Sequence, residues 1–172
     1  MQLIINKNDF AGIRNISVNA SDDIVNEHIR NAQISKFVDY IGQELLTRIV
    51  NNLTAPEIVN ILDEKDYTYK GKNYTSSGLK TVLVNLSYAR YVLNGSDNDT
   101  PYGFVKKDSQ YSQPTEYKIL VGKSEEAENI AFADFRTVHD YLIRHSDIYP
   151  EYIGNCNVER EVNEMKFIKI SR

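Results

Sequence analysis

The 172-residue sequence predicts a mainly α-helical fold: an antiparallel four-helix bundle with a small β-hairpin, a long polar loop and a strand-like C-terminal tail. Three observations predict it. Apolar residues recur at i, i+3, i+4 and i+7 in separate stretches. A Tyr- and Thr-rich run folds back about Lys70-Gly71-Lys72. A polar stretch and a late apolar run, Met165-Lys-Phe-Ile-Lys-Ile170, fit no helical period.

The first helix is expected over 22–33. Ser21 is placed to cap it, and Asp22 and Asp23 occupy the first turn, where the helix dipole favours anions. Val25, His28, Ile29 and Ala32 make its inner stripe. A second helix is expected over 36–51, with Val38, Ile41, Leu45, Ile49 and Leu53 on one stripe and Phe37, Leu46 and Val50 widening it. Pro56 starts a short helix containing Ile58, Ile61 and Leu62. Tyr67 to Tyr74 then reads as a hairpin, because Tyr and Thr favour strands and Lys-Gly-Lys turns the chain.

The third helix starts near Ser76 and Ser77 and ends at Gly95. It is apolar nearly all round, which marks a central, buried helix. A polar loop follows over 96–115, a length that usually serves function. The fourth helix is expected over 125–144, capped by Ser124 and loaded at its start with Glu125, Glu126 and Glu128. Ala127, Ile130, Ala131, Val138, Tyr141 and Leu142 face inwards, and Arg136 pairs with Asp140 outside. The division expected is a helical domain over 1–148 and an extended arm over 149–172. The strand-like 165–170 run needs an edge to pair with, either Leu3–Ile5 or another chain.

Composition narrows the function. The net charge is −4, with no Lys/Arg run, so the chain lacks the electrostatic footprint of a duplex-binding module. Cys156 is the single cysteine; it sits among Asn residues with no cation to lower its pKa, and reads as inert. Seven Asn-x-Ser/Thr triplets, at Asn15, Asn19, Asn52, Asn73, Asn85, Asn94 and Asn98, read as chance in an Asn-rich chain without an export signal. The expectation is a soluble protein folding in a reducing interior.

No side-chain pattern assigns a catalytic, cofactor or metal site. His28 reads as a packed core histidine. His139 and His145 turn to different faces of one helix and cannot share a metal. Asp97-Asn98-Asp99 opens like a calcium loop, but Pro101 and Tyr102 fall where a ligand and a glycine are required, leaving a solvated turn. Asp134 falls on the inner side of the fourth helix and is expected to meet an Arg, a Tyr hydroxyl or a neighbouring subunit. The tyrosines gather in groups, a composition suited to protein interfaces.

Several stretches carry a resemblance. Leu79-Lys-Thr-Val-Leu83, Tyr88-Ala-Arg-Tyr-Val-Leu93 and Asp99-Thr-Pro-Tyr-Gly-Phe-Val-Lys-Lys-Asp-Ser-Gln-Tyr-Ser-Gln-Pro114 lie in its centre. The opening Leu3-Ile-Ile-Asn-Lys-Asn-Asp-Phe10 and the Tyr67–Tyr74 run extend it. Over residues 1–145 the chain resembles small head–tail connector proteins, the neck or adaptor rings, of tailed phages of Bacteroidetes, including crAss-like phages. The resemblance implies a structural virion protein with no enzymatic activity and no cofactor. It would form a ring with copies of itself, contact the portal and the next neck or tail ring, and let DNA pass without binding it specifically. The subunit-interface residues it suggests are Pro101, Tyr102, Phe104, Phe167, Ile168 and Ile170. The alternatives are a small intracellular enzyme built on Asp134, His139 and tyrosines, or a nucleic-acid-binding regulator.

Overall fold

A computed structural model describes residues 1–17, 19–94 and 117–152, together with the backbone of 97–100 and 103–106. The molecule is mainly helical, with small antiparallel hairpins. Its helices are α1 (Asp22–Gln33), α2 (Lys36–Ile41), α3 (Gln43–Asn51), α4 (Pro56–Leu62), α5 (Leu79–Asn94) and α6 (Tyr117–Arg144). Strands β1 (Lys65–Tyr69) and β2 (Lys72–Ser76) form one hairpin, and β3 (Asp97–Thr100) and β4 (Gly103–Lys106) a second. No helix among the described residues is long and apolar enough to cross a membrane.

α5 is the centre of the fold, as its all-round apolarity predicts. It packs along α6 and α1, and Leu79, Val82, Leu83, Val84 and Leu86 are buried. α1 begins where expected, with the Ser21 hydroxyl accepting from the Ile24 N–H. Its Val25, Ile29 and Ala32 join the same core.

The single helix expected over 36–51 is two. Gly42 separates α2 from α3 at φ 82°, ψ 156°, a conformation reserved almost wholly for glycine. The apolar stripe survives the break, because Phe37, Ile41, Leu45 and Ile49 are all buried on either side of it.

The first hairpin forms as predicted, with Tyr67 opposite Tyr74. Lys70 and Gly71 both take positive φ, at 49° and 75°, the signature of a two-residue type I′ turn. β2 then leads through Gly78 into α5. Gly78 sits at φ 77°, and a Cβ there would lie 2.6 Å from the Leu62 carbonyl oxygen and from the Asp63 carbonyl carbon. Glycine is therefore required where α5 starts against the end of α4.

Three expectations for α6 are corrected. The helix starts at Tyr117, so Ser124 is no cap but a buried residue inside it. The weakest helix former in Tyr117 to Lys123 is Gly122, which a long helix tolerates at about 1 kcal/mol. Glu125, Glu126 and Glu128 consequently lie along the helix rather than at its start. Asp140 pairs with Arg144 at 3.5 Å, an acid-before-base i,i+4 arrangement, rather than with Arg136. Ile130, expected inside, is exposed.

The polar loop expected over 96–115 contains β3 and β4, with Asp99 opposite Phe104. The Asp97-Asn98-Asp99 run thus belongs to a strand and not to a turn. Phe104 and Val105 are strong strand formers, and overall polarity hid them.

At the N-terminus, Ile4, Ile5 and Phe10 are buried in the core. A 3-10 helix over Lys7–Phe10 is closed by a capping box between Asn6 and Asp9. The Gln33 amide accepts from the Ile4 N–H at 3.1 Å and donates to the Gln2 carbonyl at 3.0 Å. It therefore occupies part of the backbone edge proposed for the C-terminal strand. After α6, the core continues through Tyr149 and Tyr152, past the expected start of the arm at 149. The rest of the arm, with Cys156 and the 165–170 run, lies outside the described residues.

Candidate functional site

Two clusters of polar and aromatic side chains stand out from the hydrophobic core. The first ties the N-terminal segment to α5 and α6. Asn85 is fully buried on α5. Its Oδ1 accepts from Arg14 Nε at 2.7 Å, and its Nδ2 donates to Asp134 Oδ2 at 3.2 Å and to the Thr81 carbonyl at 3.1 Å. Burial pushes the Asp134 carboxyl above its ordinary range, with Glu64 adding to the rise; the Ser77 hydroxyl, Arg14 and Asn85 work against it. Thr137, one turn on, accepts from the Ser77 N–H at 2.9 Å and reaches the Ser77 hydroxyl at 3.2 Å. The Arg14 guanidinium lies 5.1 Å from the Tyr88 ring centroid.

Asp134 thus meets an arginine through an intervening amide. Arg14 escaped the sequence reading, and Asn85 entered it only as one of the chance Asn-x-Ser/Thr triplets. The available signal was a lone Asn within Val82-Leu-Val-Asn-Leu86, a polar side chain that a buried helix must satisfy.

The second cluster lies where the β1–β2 hairpin meets the C-terminal end of α6. Arg144 donates to the Tyr67 hydroxyl at 2.5 Å. Its guanidinium stands 3.8 Å from the Tyr74 ring centroid, 5.6 Å from that of Tyr69 and 5.8 Å from that of Tyr67. A cation held among three aromatic faces is both attracted and immobilised. Tyr67 stacks on Tyr74 and meets Tyr141 edge-on, and His145 stacks on Tyr141 with centroids 4.2 Å apart.

Next to this cluster, the chain after α6 is fastened down. The Tyr149 hydroxyl donates to the Glu57 carbonyl at 2.7 Å, and burial pushes its pKa up. Arg48 donates to the Ile148 carbonyl and pairs with Glu151 at 3.0 Å. His139 Nδ1 lies 2.6 Å from the Tyr152 hydroxyl oxygen.

The histidines named from sequence fall apart as their spacing requires. His28 is buried edge-on to Tyr91, and burial lowers its pKa. His139 faces Tyr152, and His145 Nδ1 faces the Tyr141 carbonyl at 2.8 Å. Asp134 and His139 are five residues apart on α6, about 140° around the helix at 3.6 residues per turn. They address different partners, Asn85 for Asp134 and Tyr152 for His139. Among the described residues, no group of His, Cys, Asp and Glu could hold a metal ion. Of the residues named for a subunit interface, Phe104 lies in β4, while Pro101, Tyr102, Phe167, Ile168 and Ile170 lie outside the described residues.

These arrangements hold segments together and present tyrosine and arginine at the surface. No curated protein and no solved structure matches the chain. A family's sequence model matches residues 37–162, from α2 to beyond the described core, taking in every cluster residue above except Arg14. The chain belongs to that family, DUF6712, a family of unknown function.

Proposed function

We propose that the chain is a structural virion protein, a ring-forming head–tail connector between the portal and the tail, made in the host cytoplasm and without enzymatic activity. In this reading α1, α2 with α3, α5 and α6 serve as an antiparallel four-helix bundle. The β3–β4 hairpin and the C-terminal arm reach neighbouring subunits and adjoining rings, with Pro101, Tyr102, Phe104, Phe167, Ile168 and Ile170 at those contacts.

The observation that carries the reading is the contrast between the core and the β3–β4 hairpin. The core runs from Ile4 to Tyr152 around α5. The hairpin pairs with itself, and no described element packs broadly against it. An isolated two-stranded hairpin is marginal in water, so it gains from a neighbour, and a ring supplies one to every subunit.

Deleting residues 160–172 tests this. Every core contributor among the described residues lies at or before Tyr152, and on this reading the shortened chain should keep its helical circular dichroism and its thermal transition. It should also fail to form the rings that the full chain forms on its portal, scored by electron microscopy. A shortened chain that unfolds would show that the arm belongs to its own core, and one that still forms rings would remove the arm from assembly.

A further inference from the structure

α6 is a rod about 42 Å long at 1.5 Å per residue. Near its C-terminal end the β1–β2 hairpin packs on it through β2. Lys70 and Lys72 are exposed at the hairpin tip, and neither makes an ion pair among the described residues. Behind them stands Arg144, fixed among Tyr67, Tyr69 and Tyr74, paired with Asp140 at 3.5 Å and 21% exposed, so that the unpaired positive charge of the tip is that of the two lysines. On a chain of net charge −4 this positive tip is a local exception. About 28 Å back along α6, Glu125 and Glu126 are exposed. Glu125 makes no ion pair among the described residues, and Glu126 approaches Arg14 only to 4.0 Å.

We propose that the hairpin tip is a docking surface for a second copy of this chain, seating on the acidic turn Glu125–Glu126 of that copy. Rigid Tyr and Arg side chains are the residue types that dominate binding energy at protein interfaces. Opposite charge on the two patches fixes their register and orientation. Because the patches differ and lie at separate levels of one rod, the contact is head-to-tail. Such contacts repeat from copy to copy and close into rings where the rotation allows. The inference deepens the ring reading by naming its surface, and it rests on that reading only for closure.

Charge exchange on the full-length chain tests it, with self-association followed by sedimentation velocity at low and high salt. The double variant Lys70→Asp with Lys72→Glu should weaken association at least tenfold. Aspartate is chosen at 70 because it tolerates the positive φ found there. Glu125→Lys with Glu126→Lys should weaken it similarly, and mixing the two variants should restore association between unlike chains. The neutral pair Lys70→Asn with Lys72→Gln covers the case in which a reversal variant misfolds; it should weaken association with circular dichroism unchanged. A wild-type chain monomeric at low salt and millimolar concentration overturns the proposal, as does a loss that mixing fails to restore. If the lysine variants instead lose binding to a single-stranded oligonucleotide while self-association persists, the tip is a nucleic-acid surface and the proposal fails. Association that persists in all variants would remove this surface while leaving the ring reading standing.

Discussion

Asp134 is half-buried and His28 buried, and the two titratable groups push stability in opposite directions as pH falls. Burial, aided by Glu64, holds the Asp134 carboxyl above its ordinary value of 3.8. A carboxyl raised in the folded state binds its proton more tightly there than in the unfolded chain. Asp134 therefore favours folding increasingly as pH falls through its folded pKa towards 3.8, and that advantage is absent at neutral pH. Burial lowers the His28 pKa from its ordinary 6.5, so the unfolded chain takes up that proton first and acidification below 6.5 costs stability. Urea unfolding at pH 7 and pH 4.5 separates them. Relative to Asp134→Asn, the native chain should gain stability on acidification; relative to His28→Gln, it should lose it. A loss against Asp134→Asn would mean that Arg14 and the hydrogen bonds outweigh burial. The place of Asp134 on an inner face was legible from helical spacing, because i, i+3, i+4 geometry is local. Its partner Arg14 was not, because 120 residues of chain separate the two and only the fold brings them together.

At the scale of the element, the two interrupting glycines do different work. Gly42 breaks a helix at positive φ, and a Cβ there would meet nothing within 4 Å. Gly78 combines positive φ with backbone atoms at 2.6 Å. Gly42→Ala should therefore cost only the conformational part, about 1–3 kcal/mol. Gly78→Ala should add overpacking against fixed backbone of about 1–3 kcal/mol more. Denaturant midpoints would show this order, and the reverse order would mean that the end of α4 yields easily. The same contrast marks what sequence reveals about elements. α1, α5 and the β1–β2 hairpin were legible because a Ser cap, an all-round apolar period and a Lys-Gly turn are local signals. The break at Gly42 was not, since the apolar stripe runs through it undisturbed. The start of α6 was misplaced because Ser124 followed by three acids imitates a capped helix start, while the real beginning, at Tyr117, carries no acidic residue in its first turn.

For the whole molecule, the hydrophobic core joins the N-terminal segment, α1 to α6 and the turns after α6 into one body. The order of apolar segments made that body legible, but its ends were less so. Tyr149 and Tyr152 looked like the root of an arm and are core residues, fastened by Arg48, Glu57 and His139. Surface organisation was the least legible level. Lys70, Lys72 and Arg144 form one positive tip only because β2 packs on the end of α6. The proposed ring subunit would draw on a core-centred body, the β3–β4 hairpin and distinct patches able to meet head-to-tail. The most direct test of the connector reading is quantitative mass spectrometry of purified phage particles, comparing this chain with the portal protein. The account predicts that the chain is present at a copy number matching a ring stacked on the portal; its absence from the particle would contradict the account.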